Sequence, residues 1–173
     1  MYSYSIIQKP LHSAIMTVLA ISASLQFAHA AAAADVKFIK SESFADMPFS
    51  HHGRDDVMNE LQQHFAKLGA KLPAGQTLKI EVNDIDLAGR IEPNQIGHNS
   101  DMRILRGGAD WPSMKFSYTI ESQGKVIKSG AADVSDMNYL RGFNRYNANE
   151  PLRYEKKMLD EWFRKEISLL TTQ

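Results

Sequence analysis

The chemistry available to this chain rests on carboxylates, histidines and one basic aromatic stretch. It has no cysteine, so a thiol nucleophile, a thiolate zinc site and a disulfide framework are all excluded. Asp84 and Asp86 stand two residues apart, and on a regular strand that spacing puts both carboxylates on one face. Such oxygens attract hard cations, but calcium takes about 6–8 of them, and the text that follows has no calcium-loop spacing. The same pattern also describes a strand end, with one Asp capping the turn and the other paired to Arg90. Glu155 and Glu166 would fall about 20° apart around one helix axis, in the middle of an apolar stripe. A carboxylate in that position either faces a cleft or needs a cationic partner, for which Arg90, Arg103 and Arg106 are the candidates. His51, His52 and His64 lack the H-x-x-x-H and HExxH spacings of zinc sites, and read as a loop pair and one stripe-edge residue. Arg141, Phe143, Arg145, Tyr146, Arg153, Tyr154, Lys156 and Lys157 interleave positive charge with aromatic rings. That mixture grips anions, or covers a hydrophobic rim with long side chains. The candidate binding residues are therefore Asp84, Asp86, Arg90, Arg141, Arg145, Arg153, Tyr154 and Glu155. No catalytic residue, metal or cofactor is assigned.

The elements that must position these residues follow from apolar periodicity. Val36 to Lys40 reads as a short strand, followed by a loop through His51-His52-Gly53. Val57, Met58, Leu61, Phe65, Leu68 and Leu72 keep helical spacing, with Asp55 and Asp56 expected in the first turn and Leu72-Pro73-Ala74-Gly75 as the stop. Leu78, Ile80 and Val82 alternate as a half-buried strand, and the apolar set then changes phase to Ile85 and Leu87, which predicts a bulge near Asn83-Asp84. A polar stretch from Gly89 to Asp110 has room for one short strand at Met102–Leu105. Met114, Phe116, Tyr118 and Ile120 define the strongest strand, and a turn at Ser122–Lys125 returns Val126–Val134 as its hairpin partner. A second polar stretch, Ser135 to Asn149, leads to Pro151 and a last helix carrying Leu152, Met158, Leu159, Trp162, Phe163, Ile167, Leu169 and Leu170. Asp160/Arg164 and Glu161/Lys165 are expected as pairs on its outer face. The fold class is α+β: a small, largely antiparallel sheet in the order strand-helix-strand-hairpin-helix, with two helices packed on one face.

The chain has 173 residues, with 20 Lys+Arg against 20 Asp+Glu, 43% hydrophobic and 23% charged. This is globular composition for one domain, without the excess positive charge of a nucleic-acid binder. Its N-terminus reads as a signal peptide over residues 1–30. A polar lead with Lys9 precedes the uncharged run Ser13–Phe27 and the A-x-A site Ala28-His29-Ala30. The run is shorter than the about 20 residues of a membrane span, and no later stretch could cross a bilayer. Residues 31–173 are expected to form a single soluble domain in the periplasm.

Several blocks in order carry a family resemblance: Leu72–Leu78 running into Val82–Gly89, Ile104-Leu105-Arg106 with Asp110-Trp111-Pro112, Ser135–Leu140, and Leu152–Lys156 through Trp162-Phe163. Over roughly 36–167 the chain resembles the bacterial domain-of-unknown-function family 3016. The resemblance implies a small exported protein of Gram-negative bacteria and carries no ligand or catalytic residue with it. The residues themselves leave two functions open. One is a non-enzymatic periplasmic domain binding an envelope protein or a small anionic ligand. The other is a small carboxylate- or metal-dependent hydrolase using Asp84, Asp86 and Glu155. Export predicts a mature N-terminus between Ala31 and Asp35, which N-terminal sequencing of the protein from a periplasmic extract checks.

Overall fold

A computed structural model describes residues 34–92 and 102–168. The expected signal peptide, together with Leu169 and Leu170, lies outside the described residues. Strand β1 (Ala34–Phe38) leads through a short 3-10 turn to helix α1 (His51–Gly69), followed by β2 (Gln76–Asp86), β3 (Arg90–Glu92), β4 (Met102–Ile104), β5 (Ser113–Ser122), β6 (Lys125–Ser135) and helix α2 (Arg153–Ser168). Four strands form one sheet in the order β1-β2-β5-β6, and β3 and β4 form a separate antiparallel pair. β1 pairs in parallel with β2, so α1 is a crossover; the other two pairings are antiparallel. The architecture is α+β, as the order of elements predicts.

The phase change in β2 has the expected cause. Its register against β5 slips between Val82 and Asp84, so Asn83 is the extra residue. Leu78, Ile80 and Val82 before the bulge, and Ile85 and Leu87 after it, are all buried in one core. Without the slip, the last two would point to the other face. The β5–β6 hairpin turns on Gln123 and Gly124, with φ 52° and 76°, as a tight two-residue hairpin turn requires.

Helix α1 starts earlier than the apolar periodicity suggests. Ser50 is its N-cap, accepting the Gly53 N–H at 3.0 Å. His51 and His52 therefore form the first turn rather than a loop, and Asp55 and Asp56 come after it. The cap overrides the periodicity because a serine oxygen satisfies an otherwise orphaned N–H. Gly53 permits the entry angle, since a Cβ there would come within 2.7 Å of Pro48 Cβ.

Both helices cover the same sheet face. Phe65 of α1 and Trp162 of α2 converge on Phe116, with ring centroids 5.7 and 4.7 Å away and edge-to-face planes. Trp162 also meets the Tyr118 ring at 5.3 Å. The expected aromatic contact between the hairpin and the last helix thus forms the centre of the core. Trp162→Ala should cost about 3–5 kcal/mol. That is a large part of the about 5–15 kcal/mol that holds a typical domain, and a urea titration of the variant measures it.

Candidate functional site

The phase of α2 turns Glu155 inward near the helix start, where it is 1% exposed. Its Oε1 accepts the Ala88 N–H at 2.7 Å, from the turn that follows β2. Arg103 of β4 donates through Nη1 to the Ala88 carbonyl at 2.7 Å and lies 3.6 Å from Glu155 Oε1. Of the three candidate arginines, Arg103 is the partner, and the link runs through the two sides of one residue's backbone. Gly89 completes the turn at φ 80°, donating its N–H to the Asp110 carbonyl at 2.7 Å. A Cβ on Gly89 would stand 2.4 Å from the Ile104 carbonyl oxygen, so the close approach of β4 needs glycine here. Burial pushes the Glu155 carboxyl above its ordinary range, against the Ala88 N–H and the Arg103 charge.

Glu166, the second inward acid, is paired above the hairpin. Tyr118 donates its hydroxyl to Oε2 at 2.6 Å, and Lys128 lies 2.7 Å away. These bonds hold the Glu166 carboxyl below its usual range. Burial, and then the bond to Glu166, push the Tyr118 phenol up to about 12.

The α1–α2 contact carries polar groups that periodicity does not reveal. Lys156 is 2% exposed, with its Nζ 2.9 Å from Glu60 of α1 and 2.6 Å from Glu150 of the preceding loop. Asp160 is not an outer-face partner of Arg164 but faces α1 and the loop. Arg145 and the Tyr146 hydroxyl bond its Oδ2, and His64 Nε2, in a residue 2% exposed, lies 3.4 Å from its Oδ1. Burial acts to raise the Asp160 carboxyl, but these neighbours outweigh it and hold it below the usual range. Arg145, expected as a ligand residue, is committed to this cluster.

Asp84 and Asp86 stand at the end of β2, and neither makes an ion pair among the described residues. Asp84 Oδ1 accepts the Ala45 and Ile85 N–H groups at 3.1 and 3.0 Å, which anchors the bulge. Asp86 is bridged to Asp46, and burial together with the charges of Asp46, Asp84 and Asp110 raises its carboxyl. The expected pair between Arg90 and one of these two aspartates does not form: the Arg103 charge acts on Asp86, while both Arg90 and Arg103 act on Asp46. Among the described residues, no group of three acid or histidine side chains could hold a metal ion.

Arg153, Tyr154 and Glu155 are brought together. With Ala88, Arg103, Leu105, Ala148, Glu150 and Leu152 they line a cleft of about 210 Å³. Arg153 lies over the Tyr154 ring at 5.2 Å, and its buried Nε has no hydrogen-bond partner. Tyr154 packs edge-on against Tyr139, centroids 4.9 Å apart. The Tyr139 hydroxyl accepts the Arg106 N–H and donates to the Arg106 carbonyl. Tyr139 also lines a second, smaller cleft of about 110 Å³ with Leu140, Arg141, Gly107 and Gly108. The sequence does not mark Tyr139 as a site residue, because a buried tyrosine in an aperiodic loop leaves no pattern. Arg103, Leu105 and Ala88 enter the site only through tertiary contact.

This is a small two-layer α+β domain with adjoining clefts where the β3–β4 pair and the loop before α2 meet. The chain belongs to the family described as "Protein of unknown function (DUF3016)", whose model matches residues 32–165. No curated protein and no solved structure matches it.

Glu155→Ala leaves the Ala88 N–H buried without an acceptor and should cost about 1–3 kcal/mol. Thermal melts of Glu155→Ala, Arg103→Ala and the double variant should show coupling of about 0.5–3 kcal/mol. Pairing Glu155→Ala with Arg106→Ala should give additive losses.

Proposed function

We propose that this protein is an exported, periplasmic, non-enzymatic domain that binds an anionic partner at the end of the molecule carrying the two clefts. The observation that carries this reading is the contrast between its acids and its arginines. Glu155, Asp160, Glu166 and Asp136 are each bonded to a cation or a backbone N–H within the fold. Arg106, Arg141 and Arg153, grouped around the Tyr139–Tyr154 pair, make no ion pair among the described residues. Exposed apolar side chains share this end: Leu105, Met137, Leu140 and Phe143, the last 86% exposed. Unpaired guanidinium groups beside exposed aromatic and aliphatic surface suit a partner with acidic groups at its rim and an apolar centre. The N-terminal segment, with its apolar run and A-x-A site, supports placing that partner in the envelope.

Capture from an envelope extract on the immobilised chain, read by mass spectrometry, tests this reading. Arg106→Glu with Arg141→Glu should lower recovery of the captured partner by about tenfold or more. Both side chains are exposed, so the melting curve should stay close to the parent's. Unchanged recovery by the charge-reversed protein would overturn the reading.

A further inference from the structure

We infer that the outer edge of β6 pairs with the same strand of a second copy of this chain, antiparallel and centred on Ala131, to make one continuous sheet across a two-fold dimer. The inference goes beyond the binding role proposed above and does not rest on it.

β6 is the last strand of the β1-β2-β5-β6 sheet, so among the described residues one side of its backbone has no partner strand. Which residues turn that side outward follows from one bond. The Asp136 N–H donates to the Pro112 carbonyl at 3.1 Å, one step beyond the Ser113–Ser135 pair. Hydrogen-bonded pairs alternate with open ones along an antiparallel ladder. Val134, Ala132 and Gly130 therefore spend their backbone groups on β5, while Asp133, Ala131 and Ser129 direct theirs away from the sheet. All three of these are exposed.

Folded proteins guard such an edge with proline, lysine, a bulge or a short strand. β6 runs for 11 residues without proline. Its bulge lies at Ile127, before the open stretch begins. Lys128, the nearest lysine, reaches across to α2, with its Nζ 2.7 Å from the Glu166 carboxylate and 3.0 Å from the Glu166 carbonyl oxygen. The side chains of Ser129, Ala131 and Ala132 are small and leave room for a neighbouring backbone. The opposite edge strand, β1, is only 5 residues long and includes Asp35 and Lys37.

The pattern of β6 itself selects the occupant. A two-fold axis at Ala131 matches the three outward residues with three and sets Ser129 opposite Asp133 of the partner subunit, at both ends. A hydroxyl then faces a carboxylate that makes no ion pair among the described residues. In-register parallel pairing, or antiparallel pairing centred on Asp133, would set like charges side by side. Beyond the paired stretch, the exposed Val126 and Ile127 come close to the exposed Met137 of the partner subunit, which covers apolar surface on both. Met137 and Tyr139 line the smaller cleft just past β6, so the dimer holds its two cleft-bearing ends about 30 Å apart, at about 3.4 Å per residue.

Sedimentation equilibrium of the purified protein between about 1 µM and about 1 mM, with amide hydrogen exchange by NMR, tests the pairing. The apparent mass should rise with concentration towards twice that of the monomer, and the Ser129, Ala131 and Asp133 amides should gain protection in step. Ala131→Pro removes the central outward N–H at an edge position that tolerates proline, and should keep the chain monomeric. Ser129→Asp sets a carboxylate opposite Asp133 of the partner subunit and should weaken the dimer by about tenfold or more, with the melting curve at low concentration unchanged. Adding Asp133→Lys to it should restore dimerisation, since opposite charges then face each other. A monomer at about 1 mM, a dimer indifferent to Ser129→Asp, or no rescue by the second change would each overturn the inference. Protection of the same three amides in a monomer would overturn it too, and would point to residues 169–173 of the same chain as the segment covering β6.

Discussion

A buried carboxylate at the start of a helix has to be satisfied, and Glu155 is satisfied by the turn that ends β2. This single requirement ties three separate pieces of chain together. Ala88 gives its N–H to Glu155 and its carbonyl to Arg103, so the peptide groups on both sides of Ala88 join α2 to β4. The Gly89 N–H then fixes the segment before β5 through Asp110. The cleft is a consequence of this arrangement, since its lining is contributed by the same turn, by β4 and by the first residues of α2.

The two helices meet through charge where they leave the aromatic core. Lys156 between Glu60 and Glu150, and Asp160 among His64, Arg145 and Tyr146, tie α1, α2 and the loop before α2 to one another. Buried ion pairs contribute little net stability, because desolvation offsets most of the attraction. Their effect here is positional. They engage Arg145 and Lys156 of the basic aromatic stretch and hold the loop in place, whereas Arg141 and Arg153 make no ion pair among the described residues. Lys157 is used in the same way by Asp136, 2.7 Å away.

The strands and the core were legible because burial on one face imposes a strict period. Even the bulge at Asn83 could be read, since one inserted residue must shift the apolar phase. The inward positions of Glu155 and Glu166 were legible for the same reason, through helical geometry. The start of α1 was not, because Ser50 acts through one side-chain oxygen and leaves no mark on the apolar pattern. Asp160 misled in a similar way: four-residue spacing to Arg164 allows a surface pair, while the neighbouring helix and loop offered it better partners.

By itself the sequence determined the fold class, the aromatic contact between hairpin and last helix, and the need of Glu155 for a partner. Each of these follows from local periodicity, which a single stretch of chain carries within itself. Only the tertiary structure decided which arginine meets Glu155, which cations are consumed internally, and which guanidinium is left with an unmade bond beside a cleft. Those outcomes depend on distances between residues 6 to 96 positions apart along the chain. Such distances are set by how strands and helices pack in three dimensions, and no spacing in the sequence encodes them.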